Sequence, residues 1–139
     1  MSAYAELPVK IEAFVLNRLG GELKILLMKR SEADGGFWQP ITGTLEFDES
    51  LRSCLLRELR EETGIVDVES ISPEIYRFSW QKKDYTVVEL VYAIETRTNN
   101  VVLSAEHVEY RWCAPEEAMN TLEKENNKMA LGRLLEHLN

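Results

Sequence analysis

Val9, Ile11, Ala13 and Val15 alternate with Lys10, Glu12 and Phe14, the period of two expected of a half-buried strand. Leu23 to Met28 is a second aliphatic run, and the two-glycine stretch Asn17 to Gly21 between them predicts a hairpin. Ser31 to Gly36 is polar and glycine-containing, as a loop would be. Pro40, within Phe37 to Thr42, cannot donate to a ladder and predicts an edge or a bend. Val66 to Ser79 reads as extended with a break at Pro73. A turn at Gln81 to Asp84 precedes the densest β-branched and aromatic run, Asp84 to Thr96, which predicts the strongest strand. Asn99-Asn100 marks another turn, and Val108 to Cys113 a short strand with Tyr110 and Trp112 alternating against Glu109 and Arg111.

The period shifts to that of a helix in three places. Leu51, Leu55 and Leu59 recur every four residues, with Leu56 widening the stripe. Ala114-Pro115-Glu116-Glu117 has proline in a first turn. Asn126 to Leu138 carries Met129, Leu131, Leu134, Leu135 and Leu138 as an amphipathic closing helix. Helices interleaved with a mainly β centre give an α/β or α+β class.

The first helix carries the candidate chemistry. Asp48 or Ser50 suits the N-cap, and Gly64 suits the left-handed residue that ends it. At the helical step, Glu58, Glu61 and Glu62 share an arc of roughly 100° beside the apolar stripe. Like charges at these spacings repel, more strongly when partly buried. An acidic run on a helix is commonly a solvated face. The alternative is a divalent-cation site, because hard cations take carboxylate oxygens. The helix alone does not choose between them.

Composition narrows the setting. The 139 residues, 45% hydrophobic, are long enough for one domain spanning 1–139 with its own core. No apolar run reaches membrane-span length, and the N-terminus lacks a signal-peptide pattern, so a cytoplasmic protein without a membrane partner is expected. Cys54 and Cys113 are too few and too isolated for a disulfide framework or zinc site and read as packing residues. The net charge of −8 argues against a nucleic-acid polymer as partner. A small polyphosphate can approach an acidic site only if metal ions cancel charge on both sides.

The stretch Gly43 to Ile65 resolves the helix question by resemblance. It matches the Nudix box, G-x(5)-E-x(7)-R-E-U-x-E-E-x-G-U with U bulky aliphatic, at Gly43, Glu49, Arg57, Glu58, Leu59, Glu61, Glu62, Gly64 and Ile65. Seven fixed identities at ordinary residue usage match by chance in roughly one window in ten million or fewer. The chain therefore resembles a Nudix hydrolase over these 23 residues. The resemblance implies an α/β/α sandwich with a mixed central sheet. It also implies an Mg²⁺- or Mn²⁺-dependent enzyme acting on phosphoric anhydride bonds, in which Glu58, Glu61 and Glu62 are metal ligands. One of these, or a carboxylate outside the box, would take the proton of the attacking water. The Thr42 carbonyl would be a further ligand and substrate neighbour. Arg57 would hold carboxylates such as Glu49, while Gly43, Glu49 and Gly64 would be structural. Many members add an acid from a later loop; Glu106 is the candidate and Glu89 the alternative. Arg30 and His107 are candidates for contact with phosphate or substrate.

Phe37-Trp38-Gln39 leading into the box, and Glu106-His107 followed by Tyr110-Arg111-Trp112, are similar to the dihydroneopterin triphosphate pyrophosphatase branch, also described as dATP pyrophosphohydrolases. That similarity implies cleavage of a pterin or (deoxy)nucleoside triphosphate to the monophosphate and pyrophosphate. Alternatives are an oxidised nucleotide, ADP-ribose, or a non-catalytic nucleotide-binding module. Trp38, Tyr85 and Trp112 are candidates to stack on a flat heterocycle. Monomer and homodimer both remain open.

Overall fold

A computed structural model describes residues 6–139, with side chains from Pro8 onward. In chain order the elements are β1 (Glu6–Asn17), β2 (Lys24–Arg30), β3 (Trp38–Gln39), β4 (Ile41–Glu46), α1 (Leu51–Thr63), β5 (Ser70–Ile71), β6 (Tyr76–Lys82), β7 (Tyr85–Glu95), β8 (His107–Cys113), α2 (Pro115–Thr121) and α3 (Glu125–Leu138). A 3₁₀ turn, Glu32–Asp34, interrupts the loop after β2.

The eight strands described make one mixed sheet, in which β1 pairs with β2, β4 and β7. Along one edge β1 runs parallel to β7, with Val9 to Leu16 opposite Val88 to Glu95. Its other edge is divided. β4 pairs antiparallel with Lys10 to Ala13, and β2 pairs only at Leu16 and Asn17. The predicted hairpin is thus confined to its turn. Once β4 occupies the edge of β1, β2 diverges to pair with β8 and the short β3. Pro40 stands between β3 and β4, so the bend falls where a ladder donor is missing. The β6–β7 hairpin closes through Lys83 and Asp84, with Lys83 in the left-handed region at φ 54°.

Strict alternation along the strands supplies two cores. Ile11, Ala13 and Val15, with Leu90, Tyr92 and Ile94 of β7, pack against Cys54, Leu55 and Leu59 of α1. Phe14 and Leu16, with Val91 and Ala93, pack against Ala118 of α2 and Ala130, Leu131 and Leu134 of α3. The result is an α/β/α sandwich around a mixed sheet. Both cysteines are buried in these layers as free thiols; burial pushes Cys54 up to about 12 and Cys113 up to about 11, so both stay protonated and apolar in character.

Between the two candidate caps, the helix uses Ser50: its Oγ accepts from the Ser53 N–H at 3.1 Å. Asp48 sits in the preceding turn with φ 65°. Gly64, at φ 74°, ends α1 and donates its N–H to the Arg60 carbonyl at 2.9 Å. Among the described residues, no helix is long and apolar enough to cross a membrane.

Candidate active site

The tight connection from β4 into α1 folds back on itself through Arg57. Its Nε and Nη2 donate to the two oxygens of Glu49 at 2.7 and 3.1 Å, a bidentate fork. Nη2 also donates to the Thr44 carbonyl at 3.1 Å, and Nη1 to Glu58 at 3.0 Å and Glu61 at 3.2 Å. One guanidinium therefore ties the end of β4, the turn and the acidic helix face together. The hydrogen bonds from Arg57 hold the Glu49 carboxyl below its ordinary value, and those to Glu49 push the guanidinium further up. Glu49 closes the turn by accepting from the Glu46 N–H at 3.0 Å.

Gly43 has a steric reason to be glycine. A Cβ there would overlap the carboxyl group and Cγ of Glu58. The acidic helix face can lie against β4 only because that position carries no side chain.

Above this junction lies a cleft of about 330 Å³ lined by Lys10, Arg30, Thr42, Gly43, Thr44, Glu46, Arg57, Glu58, Glu62 and Glu106. Four carboxylates thus face three cationic side chains. Glu62 is the deepest, 2% exposed, and its Oε1 has no hydrogen-bond partner. Burial, reinforced by hydrogen bonding to and charge on Glu58 and by the charge of Glu106, pushes its carboxyl up to about 10. Glu106 meets Arg30 at 4.0 Å, and Arg30 also reaches Asp34 at 4.0 Å. Glu61 stands half-exposed beside Arg57 and does not line this cleft. Among the described residues, no three potential ligand groups already stand together at ligand distance; Glu58 and Glu61 are turned toward Arg57.

His107 lies behind the cleft rather than on its wall. Its side chain is 0% exposed because β8 turns it inward at the start of the strand. Gln39 Nε2 donates to His107 Nε2 at 3.0 Å, which makes Nδ1 the protonated nitrogen, 4.0 Å from Glu62 Oε1. Burial, followed by the charge of Arg30, pulls the imidazole below its ordinary value, so it is neutral at neutral pH.

A second cavity, about 430 Å³, adjoins the first and shares Lys10, Arg30 and Thr42 with it. Phe37, Phe78 and Trp80 provide its apolar walls, and Gln39, Glu89, Lys124, Asn126 and Asn127 its polar ones. Glu89, the alternative to Glu106, therefore belongs to this chamber and not to the box carboxylates. The aromatic residues expected to stack also differ. Trp38 carries the Arg111 guanidinium 4.7 Å from its ring centre, Trp112 donates to the Asn99 carbonyl at 2.9 Å, and Tyr85 is exposed at the β6–β7 turn. None of the three lines either cavity. A period-two reading of β6, which places Phe78 and Trp80 on one face, is the signal that points to the aromatic wall. Lys10 and Glu12 similarly occupy the polar positions of β1.

Comparison with known proteins agrees with this architecture. The NUDIX domain family model matches residues 8–135. The dihydroneopterin triphosphate diphosphatase of Haemophilus influenzae is 28% identical over 128 residues, covering 83% of this chain and 80% of that protein. The CTP pyrophosphohydrolase of Escherichia coli is 37% identical over 114 residues, covering 80% and 79%. A NUDIX hydrolase structure from Listeria monocytogenes superposes with a TM-score of 0.80 at 29% identity, covering 95% of this chain and 94% of that one. Sheet, box helix and acidic cleft together define a hydrolase of phosphoric anhydride bonds. The chain belongs to the NUDIX family of pyrophosphohydrolases.

Proposed function

We propose that this protein is a divalent-cation-dependent pyrophosphohydrolase that cleaves a (deoxy)nucleoside or pterin triphosphate to the monophosphate and pyrophosphate. The observation that carries this reading is Glu62. A carboxylate this deeply buried, beside Glu58 and Glu106 and with an oxygen lacking any partner, is costly unless positive charge reaches it. An all-oxygen donor set suits Mg²⁺ or Mn²⁺. Glu58, Glu62, Glu106 and the Thr42 carbonyl would hold the ion, with Glu61 joining from the rim. When bound, the ion supplies positive charge to the phosphates and lowers the pKa of water.

The chain's own residues do the positioning. Arg57 fixes where Glu58 and Glu61 stand, and Gly43 keeps β4 out of their way. Arg30 and Lys10, at the junction of the two cavities, offer cationic groups to phosphate oxygens leaving or entering the acidic cleft. A carboxylate of the cluster accepts the proton of the attacking water. Phosphoryl-group chemistry needs little more than such placement and charge.

The test is turnover of purified protein, with Mg²⁺, Mn²⁺ or EDTA, against dihydroneopterin triphosphate, the deoxynucleoside triphosphates, ADP-ribose and a diadenosine polyphosphate. Metal-dependent release of pyrophosphate from a triphosphate is expected. Activity undiminished in EDTA would overturn the metal site, and preference for ADP-ribose or the dinucleotide would overturn the triphosphate assignment.

A further inference from the structure

The polar floor of the second cavity contains a buried arrangement that phosphate chemistry does not require. Glu12, on β1, is 0% exposed, and Glu89, on the neighbouring β7, is 5% exposed. Glu12 Oε1 accepts from Asn127 Nδ2 at 3.1 Å, while Oε2 has no donor partner. Glu89 Oε1 accepts from Trp80 Nε1 at 2.9 Å. Both carboxylates lie on the sheet face that Lys10 shares, and Lys10 stands opposite Glu89 in the β1–β7 register. Burial first, and then Glu89, raise the Glu12 carboxyl well above its ordinary range.

Glu89 lines the chamber beside Phe78 and Trp80. A carboxylate has about four acceptor sites. Trp80 uses one of them, which leaves room for further donors from the chamber. The aromatic walls of Phe37, Phe78 and Trp80 admit a flat ring. Adenine and cytosine offer this position one amino donor beside a ring-nitrogen acceptor, whose lone pair would oppose that of the carboxylate. Guanine and pterin rings instead offer a ring N–H beside a 2-amino group.

We propose that this second chamber seats the heterocycle of the substrate and that Glu89, backed by Glu12 and Asn127, selects rings carrying a ring N–H next to a 2-amino group. This deepens the triphosphate reading and rests on it for the placement of the phosphates. Guanine nucleotides and pterin triphosphates share the recognised edge, so the two sources are separated by experiment. Glu89 is a specificity-determining residue here, not a metal ligand.

The experiment compares kcat/KM for dGTP, dITP, dATP, dCTP and dihydroneopterin triphosphate in wild type and Glu89→Gln. Binding of the unphosphorylated rings, guanosine, adenosine and neopterin, is followed in parallel by Trp fluorescence or calorimetry. In wild type, dGTP or the pterin substrate is expected to exceed dATP and dCTP by roughly 10²-fold, with dITP, which lacks the 2-amino group, falling below dGTP. The dGTP-to-pterin ratio identifies the source. Glutamine offers one donor and one acceptor, so Glu89→Gln should shrink the dGTP-to-dATP ratio by about tenfold or more. Should that variant fold poorly, Asn127→Ala, which removes the support of Glu12, should shrink the ratio in the same direction. Equal turnover of dATP and dGTP by wild type, or an unchanged ratio in both folded variants, would overturn the proposal. If no triphosphate is hydrolysed but guanosine or neopterin binds in preference to adenosine, and Glu89→Gln removes that preference, the ring-selecting site stands and the hydrolytic reading falls.

Discussion

Arg57 shows how much a single residue can hold together. Arg57→Lys keeps the charge but loses the fork to Glu49 and the simultaneous reach to Thr44 and Glu58. Breaking a largely buried pair of this kind costs roughly 3 kcal/mol. We therefore expect a lower melting temperature together with a lower kcat, measured by calorimetry and turnover. Glu62→Gln should behave differently: it removes the most strongly desolvated acid of the cleft, so kcat should fall by about 10²-fold or more while the metal-free fold is not weakened. Glu12 makes a pH prediction. Its folded carboxyl lies above the unfolded value, so above the unfolded value the native chain retains a proton that the unfolded chain has released. Its contribution to stability is consequently lost as pH rises through that window. Glu12→Gln keeps an acceptor for Asn127 and a donor for Glu89. Its melting temperature should gain on wild type as pH rises above the ordinary carboxylate range, and an unchanged difference would contradict the buried-pair reading.

At the level of elements, the β4–turn–α1 unit is the part the sequence made most legible. Gly43, Glu49, Arg57 and Gly64 are close enough in the chain for their spacing to encode their contacts. Gly64→Ala places a Cβ at φ 74° and should cost about 1 kcal/mol, or about 4 °C in melting temperature, with activity largely retained. Gly43→Ala should do the reverse, displacing Glu58 and cutting kcat by about 10²-fold with a smaller effect on stability. The hairpin of β1 and β2 was harder to read. Alternation identified both strands, but it carries no information about which strand lies at an edge once β4 competes for it. The inward turn of His107 was hard to read for a related reason. Its neighbours Glu106 and Val108 are exposed, and only the start of β8 beside Gln39 turns its ring inward.

For the whole molecule, the acidic charge gathered in the cleft makes ligand binding a stability event. Saturating Mg²⁺ or Mn²⁺ at a hundredfold excess over Kd should stabilise the fold by about 2.7 kcal/mol, read as a rise in melting temperature that EDTA abolishes and Glu62→Gln blunts. The aromatic chamber was the least legible feature. Phe37, Phe78, Trp80, Glu89 and Asn127 come from four separated stretches, and none has unusual local chemistry. Only assembly of the sheet with α3 reveals them as one surface, whereas Trp38 and Trp112, more conspicuous in the sequence, are engaged elsewhere.

The division of labour along β1 has a consequence for how such a protein can change. Ile11, Ala13 and Val15 serve the core beneath α1, while Lys10 and Glu12 serve the second cavity and its surroundings on the opposite face. An inserted or deleted residue would exchange the two sets and destroy both together. Point substitutions at the even positions touch only one. New ring preferences are therefore reachable by single replacements on this strand, while shifts in its length are closed as a route of divergence.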